Sequence, residues 1–184
     1  MYLTSNGING FRDLRADEIE VRVASVNEKG AKLLLYKDAR CDMNILDETV
    51  GPMNWKRTHS RENANCIVSI WDESKQEWVS KEDTGTESFT EKEKGLASDS
   101  FKRACFNWGI GRELYTAPSI RVDKKDLKTY ERNGKTAVAD SFYVEKIIIS
   151  NKKIIALSIK NDRNVRVFLQ KPPEGKTNEG DRKN

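Results

Sequence analysis

The sequence predicts an α+β fold in which helices pack on one face of an antiparallel sheet. Three observations carry that prediction. Short runs rich in Val, Ile, Thr, Trp and Tyr, bounded by polar turn residues, recur from Trp55 to Lys81 and from Ser141 to Leu169. Polar connections at Asp72–Gln76 and Ser150–Lys153 join successive runs as a meander and a hairpin. Between these two regions, Ser88–Trp108 carries its apolar residues at helical rather than strand spacing.

In chain order, residues 1–15 contain the turn-forming pairs Asn6-Gly7 and Asn9-Gly10 and read as a loosely ordered lead-in anchored by Phe11 and Leu14. Asp17–Val26 admits two readings. Ile19, Val23 and Val26 lie at helical spacing, yet Ile19, Val21 and Val23 alternate like a strand, which β-branched residues favour. After a turn at Asn27–Gly30, Ala31–Lys37 reads as a strand through Leu33-Leu34-Leu35-Tyr36. A helix follows, capped by Asp42, with Met43, Leu46 and Val50 on one side and Gly51-Pro52 as its stop.

Three strands come next, Trp55–Thr58, Cys66–Trp71 and Glu77–Lys81, with Gly85 permitting a sharp exit. The long helix opens on a capping box, Ser88 with Glu91. Its buried stripe is Ala97, Phe101, Ala104, Cys105 and Trp108, and Gly109 with Gly111 ends it. Past Pro118 the pattern is loop, then the hairpin Ser141–Ile149 and Ile154–Lys160, then an edge strand at Arg166–Leu169. The organisation expected is a lead-in at 1–15, one domain over 16–170 with the C-terminal hairpin at 141–160, and a disordered tail at 171–184.

Composition narrows the function classes. The longest apolar runs, Leu33–Tyr36 and Ile147–Ile149, fall far short of the roughly 18 residues a membrane span needs, and no signal peptide is evident, so a cytoplasmic protein is expected. Three cysteines, Cys41, Cys66 and Cys105, are widely spaced and odd in number, which predicts reduced thiols. With His59 the only histidine, no metal motif forms, and no cofactor is predicted. No phosphate-cradling loop exists, and Gly109-Ile110-Gly111 lacks the third glycine of a dinucleotide fingerprint. Asp72 with Asp83, or Asp47 with Glu48, have no spacing that favours nuclease metal binding over solvated turns. A non-enzymatic protein is expected. The net charge of +4 suits a polyanion without requiring one, so the placement of charge matters more than its sum.

Two clusters are candidates for such a partner. On the polar side of the long helix, Lys102 and Arg103 flank Phe106, an arrangement suited to a stacked base and its phosphates, or to solvated cations around a ring that meets another subunit or the chain's own loops. Around the first strand lie Lys32, Lys37, Arg40, Lys56, Arg57 and Arg61, interleaved with Tyr36, Trp55 and His59. Cations alternating with rings suit sequence-tolerant binding. A core role for Trp55 and edge protection by strand-end lysines account for the same residues.

Glu82-Asp83-Thr84-Gly85, the run from Glu93 to Ala104 with its Asp99-x-x-Lys102-Arg103-Ala104 element, then Asn107-Trp108-Gly109 and Leu114-Tyr115, resemble the central segment of the Rad fifty-two family of single-strand annealing proteins. Glu18–Arg22, the strand ending at Tyr36, and Gly51 with Trp55 are similar in order and spacing, so the resemblance spans Leu14–Pro118 and looks most like short bacterial or phage members. It implies a β-β-β-α core with the long helix on one face, preceded by a smaller helix-strand-helix segment, which tips Asp17–Val26 towards helix. It also implies homo-oligomeric rings or partial rings with an outer basic groove.

Carried over, that groove takes Lys102, Arg103 and Arg22, with Tyr36 nearby. Phe106 stands where the family often has a further cation, and Arg112 is placed to supply charge instead. The hairpin at 141–160 has no counterpart. The expected binding set is Arg22, Lys32, Tyr36, Lys37, Arg40, Arg57, Lys102, Arg103, Phe106 and Arg112. The expected function is binding of single-stranded DNA and annealing of complementary strands in recombination or repair. Partners are single-stranded DNA, other copies of the chain, and a single-strand binding protein or an exonuclease. The alternatives are a coating or recombinase-loading module that does not anneal, and a structural assembly protein without a nucleic-acid role.

Overall fold

The computed structural model describes residues 3–4, 7–8, 10–86 and 92–173, so the Ser88/Glu91 capping box and the tail from 174 onward lie outside the described residues. The chain opens with the short strands β1 (Leu3–Thr4) and β2 (Gly7–Ile8) and a 3-10 turn, Ala16–Glu18. Strands β3 (Glu20–Asn27) and β4 (Gly30–Tyr36) lead into helix α1 (Ala39–Val50). Strands β5 (Trp55–Ser60), β6 (Asn65–Asp72) and β7 (Glu77–Thr84) precede helix α2 (Lys92–Asn107). After a 3-10 helix at Arg112–Thr116 come β8 (Ile120–Asp123), β9 (Thr129–Arg132), β10 (Lys135–Val138), β11 (Phe142–Ser150), β12 (Lys153–Asn161) and β13 (Arg166–Gln170). The α+β class holds. No described helix is long and apolar enough to cross a membrane.

The chain divides into two compact units, one built from the residues up to Asp13 and Lys37–Arg112, the other from Leu14–Tyr36 and Glu113 onward. In the first, β5, β6 and β7 form an antiparallel meander, and α2 packs on β6 and β7. Strand alternation aims Cys66, Val68 and Ile70 of β6 at the helix, which answers with Phe101, Ala104 and Cys105, and all six are buried. Trp55 stacks on Phe101 with ring centroids 6.1 Å apart, and the Trp108 indole N–H donates to the Val68 carbonyl at 3.1 Å. The strand exit passes so close to α2 that a Cβ on Gly85 would stand 2.5 Å from the Ser100 nitrogen, a contact only glycine avoids.

Helix α1 starts one turn earlier than its sequence suggests. Asp38, not Asp42, caps it, accepting from the Cys41 N–H at 2.9 Å, and Asp42 points into the interior.

In the second unit, six strands pair antiparallel in the order β13-β12-β11-β3-β4-β8, and the sheet curls until β8 and β13 come beside one another. Its core holds Leu33, Leu35, Ile120, Val122, Leu157 and Ile159. Of Asp17–Val26, Glu20–Val26 is therefore strand, entered from the 3-10 turn at Ala16–Glu18, and the α-helix implied by the resemblance does not form. Pairing with β4 from Glu20↔Tyr36 to Asn27↔Gly30 satisfies one edge of its backbone, and its β-branched residues suit that pleat. The segment before the meander is thus strand-strand-helix rather than helix-strand-helix.

The structure also has two principal sheets rather than one, with both α-helices in the unit that holds the smaller sheet. The hairpin expected at 141–160 is β11–β12, and the expected edge strand is β13. The region read as loop after Pro118 contains β8 and the β9–β10 hairpin, which turns at Asn133 and Gly134, both at positive φ.

Candidate nucleic-acid interface

In the first unit, the side of α2 away from the buried stripe carries Lys102, which is half-buried, and Arg103, which is exposed. Arg103 reaches back to Asp83 on β7, Nε to Oδ1 3.4 Å. The last turn of α2 is closed by two cations. Lys81 donates to the Asn107 carbonyl at 2.9 Å, and Arg112 donates from Nε to the Phe106 carbonyl at 2.8 Å and from a terminal nitrogen to the Asn107 carbonyl at 2.9 Å. Cations belong there, because the helix end leaves carbonyls unsatisfied and carries partial negative charge.

The rings are occupied as well. The Arg112 guanidinium lies 5.5 Å from the Phe106 centroid, and Lys81 lies 4.6 Å from that of Trp108. Phe106 is accordingly half-buried rather than an open platform, and Arg112 is first a helix cap.

Arg57, on edge strand β5, is exposed and covers Phe101 at 4.8 Å. Beside it, burial and the Arg57 charge push the His59 pKa down, which keeps the imidazole neutral near pH 7. Burial pushes the Cys66 thiol up to about 11 and Cys105 well above its ordinary value, so neither is a thiolate nucleophile at neutral pH. No group of three or more His, Cys, Asp or Glu side chains among the described residues is arranged to hold a metal ion.

Lys37 does not join these cations at an open surface. Lys37 is buried and its ammonium grips both carboxylate oxygens of the fully buried Asp42. Its stem fills the space over Gly111, where a Cβ would lie 2.2 Å from Lys37 Cε. Burial raises the Asp42 pKa to about 6, against the opposing pull of Lys37 and, more weakly, of Lys102. A lysine whose charge is spent inside the fold cannot follow a phosphate backbone, so its placement corrects the groove role expected of it. Arg40, at the exposed start of α1, pairs with Asp38 at 2.8 Å.

The other three residues share one face of the second unit's sheet. Arg22, Lys32 and Tyr36 point outward, because the alternate residues Ala31, Leu33 and Leu35 are buried. Arg22 sits over the Tyr36 ring at 5.1 Å and pairs with Glu20, Nε to Oε2 2.9 Å. The expected set thus divides between the units, with Arg40, Arg57, Lys102, Arg103, Phe106 and Arg112 on one and Arg22, Lys32 and Tyr36 on the other. Sequence reasoning missed Lys81, whose signal is weak because its partners are a carbonyl and a ring far along the chain. Compared with protein-family models, curated proteins and solved structures, the chain matches none.

Proposed function

We propose that the chain binds single-stranded DNA and anneals complementary strands without a chemical step, assembling with copies of itself, in recombination or repair within a bacterial or phage-infected cell. One observation carries the reading. The Asp99-x-x-Lys102-Arg103-Ala104 element lies on a helix packed against a three-stranded meander, with Phe101, Ala104 and Cys105 buried beneath and Lys102 and Arg103 on the other side. That placement supports the reading of a β-β-β-α annealing core with backbone-binding cations.

The mechanism is positional. Cations hold one strand by its phosphates, the base edges stay outward, and pairing with an incoming strand supplies the driving force. Strands β5 and β7 have no neighbour on their outer edges among the described residues, which leaves the meander open to side-by-side assembly of copies.

The test is annealing of two complementary labelled oligonucleotides with purified protein, with and without ATP and EDTA. Acceleration independent of both, greatest when one strand is loaded first and suppressed by high salt, is expected. Salt-sensitive binding with no acceleration at any protein concentration would refute annealing and leave a strand-coating module. Self-assembly without strand binding would leave a structural protein.

A further inference from the structure

Most described cations close to carboxylates are already paired: Arg22 with Glu20, Lys37 with Asp42, Arg40 with Asp38, Arg103 with Asp83, Arg163 with Asp140, Arg166 with Glu145. Lys32 and Arg121 are among the described cations outside these pairs, as are Arg132 and Lys135, which face each other on β9–β10. Lys32 and Arg121 stand directly opposite each other on the antiparallel pair β4–β8. Both are exposed, and both point outward, since the residues flanking them, Ala31, Leu33, Ile120 and Val122, are buried. Neither has a carboxylate partner among the described residues. Like charges directly opposite on a sheet repel, and a fold gains nothing by keeping them there.

The same face supplies flat and apolar surface within one and two steps. Leu34, registered with Arg22, comes next, followed by the row Tyr36, Glu20 and Tyr143 across β4, β3 and β11. Leu34, Tyr36 and Tyr143 are each more than a third exposed. Successive outward residues on a strand lie about 7 Å apart, a step that one nucleotide of an extended strand can follow.

We propose that the outward face of β3, β4, β8 and β11 holds a segment of single-stranded nucleic acid, with Lys32 and Arg121 gripping phosphate and Tyr143 supporting a base beside Tyr36, whose ring Arg22 covers. The occupant follows from charge complementarity, an unpaired dication beside exposed rings, and the inference rests on the single-strand-binding reading above. Arg121 and Tyr143 are the residues it adds.

The experiment measures binding of a fluorescent oligothymidylate over a salt series to wild type, Lys32→Gln/Arg121→Gln, Arg121→Glu and Lys102→Ala/Arg103→Ala, with thermal melting of each. Loss of two phosphate contacts should weaken binding and flatten the log–log salt slope by about 1.4, from about 0.7 per contact. Arg121→Glu places an anion opposite Lys32, so its melting temperature should rise or stay unchanged while binding falls. That opposite movement excludes misfolding as the cause. Unchanged affinity and slope in both Arg121 variants, with Lys102→Ala/Arg103→Ala weakened, would overturn this inference and leave the function standing. A wild-type protein that binds no oligothymidylate at low salt would overturn both.

Discussion

Replacing Lys37 by Met tests whether this lysine serves the fold or a ligand. Its side chain is 8% exposed and that of Asp42 0%, so removing either partner leaves the other charge buried and alone. Such a loss costs about 3–5 kcal/mol, whereas replacing both partners by apolar groups is often neutral or stabilising by about 1–4 kcal/mol. Lys37→Met keeps most of the stem that covers Gly111 and removes only the charge. Lys37→Met and Asp42→Ala should each be strongly destabilising, and the double variant less so than their sum.

The assay is urea unfolding followed by tryptophan fluorescence. Trp55, Trp71, Trp78 and Trp108 all belong to the unit that contains the pair, so the signal reads that unit. With a urea slope of about 1–3 kcal/mol/M, each single change should lower the midpoint by at least about 1 M.

The pair also sets a pH dependence. The folded Asp42 pKa, about 6, lies above the ordinary 3.8, so the folded state holds this proton more tightly than the unfolded chain. The contribution is fully present below pH 3.8 and is lost as pH rises through about 6. Lys37→Met removes the cation that opposes the shift and should extend the loss to higher pH. A Lys37→Met protein as stable as wild type, with a flatter salt slope for single-stranded DNA, would refute the burial argument and return Lys37 to the binding surface.

Other consequences follow from the same geometry. Lys102→Ala/Arg103→Ala should leave the fold intact and reduce the salt slope of single-strand binding by about 0.7 for each lost phosphate contact, measured by anisotropy. Phe101→Ala should cost about 3–5 kcal/mol in urea unfolding, because the ring is fully buried between Trp55 and the Arg57 guanidinium. Phe106→Ala, half-buried under Arg112, should cost clearly less, and equal costs would invert the assigned faces of α2. The Glu145 carboxyl, bonded by Arg166, Ser158 and Lys160, is held well below its usual range, so its contribution is present above pH 4.5 and is lost as pH falls. Glu145→Gln should flatten acid unfolding followed by circular dichroism; an unchanged acid limb would show that the cluster is not coupled to folding.

Much of the secondary structure was legible because local patterns and tertiary contacts agree. The meander, the β11–β12 hairpin and α2 each rest on a period that survives burial, as Cys66, Val68 and Ile70 do at every second residue. Two features were present in the sequence and unread. Ile120-Arg121-Val122-Asp123 alternates apolar and polar, and Asn133-Gly134 is a hairpin turn pair. Asp17–Val26 misled because the resemblance outweighed its β-branched residues. Asp38 and Asp42 misled because both can cap a helix, and only the Cys41 N–H bond shows which one does.

The residues proposed to bind were less legible, since the availability of a cation depends on partners distant in sequence. Arg103 meets Asp83, and Arg112 meets the carbonyls of an ending helix; neither contact follows from composition. Lys37 is different, because strand parity identifies it. From Ala31 through Lys37 every odd-numbered residue is buried and every even-numbered one exposed, so Lys32 and Tyr36 face outward while Lys37 continues the inward series of Leu33 and Leu35. A lysine on the inward phase must bring a counter-ion, and Asp42, one helical turn into α1, is close enough along the chain to supply it. By the same parity Arg121 shares the outward phase with Lys32, while Ile120 and Val122 turn inward. Strand phase therefore separates a buried cation that serves the fold from cations that face outward, and composition does not.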